Sequence, residues 1–174
     1  MKKKRILAIS GSTRKDSSNE KLIKFISEIS ADLFEIILFD ISSLPYFNQD
    51  TDNSDIPNTV INFRKAIEVA DGVLICTPEY VFSIPGILKN AIEWTVSTVV
   101  FGDKPTAVIT ASSSGIKAHE SLLLVMKTVG VKMPDASALL IQSIKSKTDT
   151  EGKIEDAATL KQLKELIQSL NNSI

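Results

Sequence analysis

Short apolar runs alternate with longer segments of helical periodicity along the chain, and this alternation limits the fold more than any other feature. The apolar runs predict five strands, at residues 6–10, 34–39, 73–77, 106–111 and 138–141. Apolar residues at helical spacing predict the helices between and after them, from residue 18, near 60–70, at 85–96, at 117–129 and near 160–170. Residues 40–55 are rich in Asp and Asn and are predicted to be a loop.

Strands that alternate strictly with helices favour a parallel sheet with helices on both of its faces. The sequence therefore predicts an α/β fold of the flavodoxin-like type, which is a three-layer α/β/α sandwich. Its five-stranded parallel sheet is expected to have the order 2-1-3-4-5. A length of 174 residues suits a single domain that spans residues 1–174.

Composition excludes several classes of function. One Cys and one His rule out an internal disulfide and a zinc site built only from Cys and His, whereas counting does not exclude a carboxylate metal site. The 20 basic and 21 acidic side chains lack the basic excess of a nucleic-acid-binding protein. The apolar run after residues 2–5 is shorter than the roughly 7–15 residues of a secretory signal, and no run reaches the ~20 of a membrane span. We expect a cytoplasmic protein that binds neither nucleic acid nor membrane.

In a sheet of this order, ligands bind beyond the carboxyl ends of the strands, near the point where the strand order reverses. The loops expected to form a site are therefore residues 11–19, 78–84 and 112–116. The first loop leads into a helix, where unpaired N–H groups and the helix dipole attract anions.

The composition of the first loop suits a phosphomonoester. Arg14 is a planar cationic donor, Ser12, Ser18 and Asn19 are neutral donors, and Gly11 permits a tight turn. The motifs GxGxxG and GxxxxGK[ST] are absent, which disfavours a dinucleotide fingerprint and a P-loop. An alternative interpretation with equal weight is a polar turn in which a serine only caps the helix.

The other two loops suit a flat ring. Tyr80 and Phe82 lie between two prolines in the second loop, which is typical of a rigid pocket wall, although both rings would also fit packing against the protein. The backbone of this loop is expected to contact the ring. Such contacts explain why Glu79 lies in this loop better than a role as a catalytic acid does. The small polar residues of the third loop would bond a ring edge or form a surface turn.

Two motifs resemble a known family. The pattern Gly-Ser-x-Arg-x-x-Ser-x-Asn occupies residues 11–19, and Pro-Glu-Tyr-x-x-Ser-Ile-Pro-Gly-x-Leu-Lys-Asn-Ala-Ile-Glu-Trp occupies residues 78–94. Together they resemble the NADPH-dependent FMN reductase family, which is flavodoxin-like and includes quinone, azo-dye and chromate reductases.

The resemblance implies bound FMN, NADPH or NADH as the hydride donor, and a small-molecule acceptor such as a quinone, an azo compound or free flavin. It places the phosphate on the first loop, the isoalloxazine ring against the second and the pyrimidine end of the ring near the third. It also implies a homodimer or homotetramer with the flavin near a subunit boundary. The expected FMN-binding residues are Gly11, Ser12, Arg14, Ser18, Asn19, Pro78, Glu79, Tyr80, Val81, Phe82, Ser112, Ser113, Ser114 and Gly115.

The chain departs from the family pattern in two places, and one of them is the third loop, which is rich in serine where glycines are common. Val81 and Phe82 stand where the family usually has Asn-Gly, and a bulky ring there would cover the flavin, narrow the substrate space or alter nicotinamide stacking.

Apolar residues spread around more than half of the predicted helix 85–96, which exceeds the needs of one core face. The surplus, including Trp94, is expected to contact a second subunit.

Three functions fit these observations: an FMN-dependent oxidoreductase, an electron carrier with the same flavin, and a binding module that has lost it. The near-neutral net charge disfavours a carrier with an acidic docking face. No catalytic side chain is expected, because the flavin carries the chemistry. His119 is expected to be an exposed or capping residue, and Cys76 an inert core residue.

Overall fold

Five parallel strands form the sheet of the computed structural model, which describes residues 2–174; Met1 of the predicted domain lies outside the described residues. The strands are β1 (Lys4–Ser10), β2 (Phe34–Phe39), β3 (Gly72–Thr77), β4 (Thr106–Ser112) and β5 (Ala138–Gln142). Their order is β2-β1-β3-β4-β5, and all neighbouring pairs are parallel. The predicted flavodoxin-like fold and strand order are therefore confirmed.

The helices mostly follow the predicted pattern. They are α1 (Ser18–Ile29), α2 (Gln49–Ser54), α3 (Asn58–Val69), α4 (Gly86–Glu93), α5 (Ile116–Thr128) and α6 (Ala157–Ser173). The prediction of a loop over residues 40–55 was wrong in part, because this segment contains α2 and a short 3-10 turn at Ile41–Ser43.

Helix α2 forms for reasons that composition does not show. The side chain of Asn48 accepts hydrogen bonds from the backbone N–H groups of Asp50 and Thr51, which caps the helix. Asp52 is buried and forms an ion pair with Arg64 of α3. A long-range contact thus supports a helix in a segment whose composition is typical of loops.

Side chains of the central strands alternate between two buried clusters, as the two-residue period of a strand requires. Leu7 and Ile9 of β1 pack with α3, α4 and α5 on one face of the sheet. Ile6 and Ala8 pack with α1 and α6 on the other face. Every residue of β3 is buried, which explains its continuous apolar run.

The structure overturns the expectation that Trp94 contacts a second subunit. Helix α4 ends at Glu93, and Trp94 follows it with its side chain fully buried within the chain. The ring packs edge-on against Phe47 with 5.2 Å between ring centroids, and Nε1 donates to the carbonyl oxygen of Pro45 at 2.7 Å. The loop after β2 therefore covers the Trp94 ring within the same chain. Pro85 immediately precedes α4 instead of lying in its first turn.

Substituting Trp94 is expected to destabilise the fold of each chain. Trp94→Ala removes a fully buried indole and should lower the free energy of unfolding by about 3–5 kcal/mol. Val96→Ala is the control, because Val96 is 66% exposed and should change that free energy by less than about 0.5 kcal/mol. Urea unfolding followed by circular dichroism measures both, and equal values for the two variants would contradict the packing role.

Candidate functional site

Residues of all three predicted loops line one cavity of about 190 Å³ at the carboxyl edge of the sheet. Strands β1 and β3, between which the strand order reverses, end beside it. The cavity also includes two residues that follow β5. Its lining residues are Ser12, Arg14, Ser17, Ser18, Asn19, Pro78, Glu79, Tyr80, Ala111, Ser112, Ser113, Ile144 and Lys145.

Three larger cavities are less suited to be the centre of the site. The cavity of about 300 Å³ beside Ser18 and Lys145 contains no residue of the second or third loop. One of about 370 Å³ shares Ser12 and Arg14 but extends over the end of β2, away from the second and third loops. Another of about 420 Å³ lies between Tyr46 and the start of α4. The smaller cavity alone combines all three loops at the reversal of strand order. Because its volume is below the roughly 300–1,000 Å³ of a typical ligand pocket, a large planar ligand would be held at its rim with part of its surface exposed.

Gly11 allows the first loop to approach the end of β3 closely. Its N–H donates to the carbonyl oxygen of Cys76 at 2.8 Å. A Cβ atom at this position would lie 2.2 Å from Oγ1 of Thr77 and 2.8 Å from its Cβ. Gly11 is therefore required here for close packing and not for a positive φ.

The first loop ends at the amino terminus of α1, with donors still available there. Ser17 caps the helix by accepting a hydrogen bond from the N–H of Asn19 at 3.2 Å. The N–H groups of Ser18 and Glu20 lie in the same first turn, where an α-helix provides them with no internal partner. Ser17 is thus a cap, as one interpretation held, and the turn that it caps is also suited to an anion.

Arg14 is a cation at this cavity that forms no ion pair among the described residues. Its side chain is exposed and lines the cavity, and within residues 2–174 no carboxylate lies within 4.0 Å of it. An unpaired guanidinium beside a helix amino terminus is well placed to hold a phosphate with two parallel hydrogen bonds.

Asn19 has a role that the sequence did not indicate. Its amide is buried, donating from Nδ2 to the carbonyl oxygen of Ala111 at 3.4 Å and accepting at Oδ1 from Sγ of Cys76 at 3.2 Å. The side chain therefore ties α1 to β3 and β4. Cys76 is fully buried, and burial raises the pKa of its thiol far above the ordinary value, so it is the inert core residue that we expected.

Glu79 joins the second loop to the third. Its Oε2 accepts from the N–H groups of Lys117 and Ala118 at 2.9 and 3.0 Å, and its Oε1 accepts from the N–H of Gly115 at 3.2 Å. The carboxylate thus caps α5 from a distant segment. The hydrogen bond from Ala118 contributes most to lowering the pKa of Glu79, because an N–H donor stabilises the charged form.

The second loop then turns sharply at Val81 and Phe82. Tyr80 and Ser83 exchange two backbone hydrogen bonds of 3.0 and 3.1 Å around them. Val81 has a φ of 50° and Phe82 a φ of 56°, and a type I′ turn requires positive values at both positions. Asn-Gly is the sequence best suited to this turn, whereas a β-branched or bulky residue held at a positive φ costs on the order of 1–3 kcal/mol.

The third loop contributes unequally to the cavity. Ser112 and Ser113 line it, but Ser114 is exposed and does not. Gly115 is buried with a φ of 84°, and a Cβ atom there would lie 2.9 Å from Leu140, so its function is to start α5. Gly11, Val81 and Phe82 also lie outside the lining of the cavity.

Ile144 and Lys145 line the cavity but were not predicted from the sequence. They follow β5, whose carboxyl end lies at the same edge of the sheet as the other loops. Ligands bind beyond the carboxyl ends of the strands, and this rule also applies to the loop after β5. The positive charge of Lys145 in that loop was the feature that could have indicated an anion site.

His119 differs from its predicted placement. It is half-buried, with Nδ1 3.0 Å from Oγ1 of Thr110, and it does not line the cavity. Burial lowers its pKa, which favours the neutral ring.

Within residues 2–174 no group of three His, Cys, Asp or Glu side chains is placed to hold a metal ion, and none of the helices is long and apolar enough to cross a membrane.

The cavity therefore combines the hydroxyl and guanidinium groups of the first loop with Pro78 and Tyr80 of the second loop. Residues 4–145 match the family described as NADPH-dependent FMN reductase. The chain belongs to the NADPH-dependent FMN reductase family. The two motifs on which the resemblance rested, at residues 11–19 and 78–94, follow β1 and β3, which agrees with this membership.

Relatives in this family are similar over almost the whole chain. A 2-hydroxy-1,4-benzoquinone reductase from Burkholderia sp. is 34% identical over 165 residues, which cover 91% of this chain and 90% of the relative. An NAD(P)H-dependent FMN reductase from Pseudomonas aeruginosa is 30% identical over 95% of this chain and 92% of its own length. The solved structure of FerB, a flavoenzyme NAD(P)H:(acceptor) oxidoreductase from Paracoccus denitrificans, superposes with a TM-score of 0.83 at 32% identity, covering 97% of this chain and 96% of that one.

Neutralising Glu79 should destabilise the edge of the sheet that carries the site. Glu79→Gln removes the negative charge at the amino terminus of α5 and should lower the free energy of unfolding by about 0.3–1 kcal/mol at pH 7. Since the folded pKa lies below the unfolded value of 4.5, the wild-type advantage is complete above pH 4.5 and is lost as the pH falls through the folded pKa.

Urea unfolding at a series of pH values measures this difference. Glu120→Gln is the control, because Glu120 is exposed on α5 and forms only a surface ion pair with Lys117. A difference between wild type and Glu79→Gln that stays constant from pH 7 to pH 3 would show that the charge is not responsible.

Proposed function

We propose that this chain is an FMN-dependent NAD(P)H oxidoreductase that reduces a small acceptor such as a quinone. Membership of the NADPH-dependent FMN reductase family supports the reductase activity, and the names of the relatives support a quinone-type acceptor. The observation that carries the proposal is the single cavity in which Ser12, Arg14 and the start of α1 face Pro78 and Tyr80.

The first loop is suited to hold the phosphate of FMN. The exposed guanidinium of Arg14 provides charge, and the first turn of α1 provides N–H donors and the positive end of the helix dipole. Ser12 and Ser18 line the same cavity with hydroxyl groups. Lys145, which also lines it, adds a second cation that would stabilise an anion.

The second and third loops are suited to hold the isoalloxazine ring. Buried Pro78 gives a stiff wall, and Tyr80, half exposed, presents an aromatic surface beside it. Ser112 and Ser113 offer small polar groups without filling the space of the ring. The three hydrogen bonds from α5 to Glu79 keep these two loops at a fixed separation, which would preserve the shape of the ring site.

The overall reaction transfers two electrons. NAD(P)H gives up a hydride, and the quinone takes up two electrons and two protons, the second proton coming from solvent, to form a hydroquinone. Bound FMN supplies the redox chemistry that connects these two half-reactions. The chain's own residues bind and orient the reactants, and no acidic or basic side chain in the cavity is required to act as a catalyst. A homodimer or homotetramer and a cytoplasmic location remain predictions.

The proposal is tested first by the absorbance spectrum and an FMN titration of the purified protein. We expect flavin absorbance, or saturable uptake of added FMN, and oxidation of NADPH or NADH that depends on 1,4-benzoquinone. A protein that binds no FMN at saturating concentration would favour the binding module. Bound FMN without nicotinamide oxidation would favour the electron carrier.

Arg14→Ala should weaken FMN binding about tenfold to a hundredfold, because it removes a charge-assisted contact of about 1.5–3 kcal/mol. Arg5→Ala is the matched control, since Arg5 is also an exposed arginine but lies near the amino-terminal end of β1. Flavin titrations of both apoproteins measure the effect. Equal affinity in the two variants would remove Arg14 from the phosphate site.

A further inference from the structure

The turn at Val81 and Phe82 combines three features that protein stability alone does not explain. Both residues have positive φ, which disfavours a β-branched and a bulky side chain. Both are apolar and remain in water: Val81 is 96% exposed and Phe82 is 78% exposed. The turn itself needs neither side chain, since its two hydrogen bonds are formed by the backbone of Tyr80 and Ser83.

The turn is continuous with the cavity. Pro78, Glu79 and Tyr80 line the cavity, and Val81 follows directly. Glu79 is held by α5, which limits movement of the segment that carries the turn. Apolar side chains on a stiff support beside an open cavity are suited to contact a ligand that projects from it.

We propose that Val81 and Phe82 determine acceptor specificity, by contacting the apolar substituents of an aromatic quinone whose ring lies at the rim of the cavity. This inference rests on the function proposed above and names the substrate class of the same site. The favoured acceptors are quinones that carry a fused ring or an alkyl group. An unsubstituted quinone would gain little from the two side chains.

A small molecule suits this turn better than a second copy of the chain. A stable protein interface removes about 800 Å² from each partner, which is more than two side chains supply. The exposed apolar side chains of the turn are Val81, Phe82 and half-exposed Tyr80, and polar Glu79 and Ser83 flank them along the chain. A contact between copies is nevertheless an outcome that the experiment distinguishes.

The test compares the wild-type holoenzyme with the double variant V81N/F82G, which installs the preferred sequence of the turn. We expect the ratio of kcat/KM for 2-methyl-1,4-naphthoquinone to kcat/KM for 1,4-benzoquinone to fall about tenfold, with rates expressed per bound flavin. Calorimetric titration of the oxidised holoenzyme with the naphthoquinone should show a similar loss of affinity. The apoprotein of the variant should unfold at a higher temperature, because the turn is relieved of strain.

Two single variants separate apolar contact from turn geometry. Phe82→Leu keeps an apolar side chain and should retain most of the preference, whereas Phe82→Asn suits a positive φ but is polar and should lose it. An unchanged ratio in both V81N/F82G and Phe82→Asn would overturn the proposal. A lower mass of V81N/F82G by light scattering at assay concentration would also overturn it, in favour of a contact between copies. Failure of the proposed function would be evident earlier, as wild type that binds no FMN or reduces neither quinone.

Discussion

The close approach of the first loop to the end of β3 is the constraint on which the site depends. The N–H of Gly11 bonds to Cys76, and the absence of a side chain lets its backbone lie against Thr77. Because β1 and β3 are neighbours where the strand order reverses, this contact brings the start of α1 beside the second loop. The polar groups of the first loop and Pro78 and Tyr80 of the second loop then line the same cavity. A Cβ atom at Gly11 would clash with Thr77 and push the first loop away from the end of β3.

Two polar residues of the expected site hold the scaffold in place. The buried amide of Asn19 connects α1 to β3 and β4, and the carboxylate of Glu79 caps α5 from the second loop. The polar atoms of these two side chains form hydrogen bonds within the chain, so fewer of them remain for a ligand than the motifs suggest. They instead fix the separation between the loops, which is what a cofactor whose own chemistry drives the reaction requires from a protein.

The turn after Tyr80 has a sequence that its backbone conformation disfavours. A type I′ turn favours Asn-Gly because both central residues have positive φ. This chain keeps the turn with Val81 and Phe82 and leaves both side chains in water. Strain combined with exposed apolar surface next to a cavity is more readily understood as a ligand contact than as a contribution to folding.

The order of elements, the parallel sheet and the three loops at its carboxyl edge could be predicted from the sequence, because strand and helix periodicities are local and the connection rules leave few topologies. Tertiary structure decided what local patterns do not contain. Trp94 is covered by the loop after β2, α2 depends on the buried pair between Asp52 and Arg64, and Lys145 reaches the cavity from beyond β5. Each of these outcomes joins residues far apart in the chain. Which partner covers a side chain depends on how the layers pack, and periodicity describes only the face on which that side chain lies.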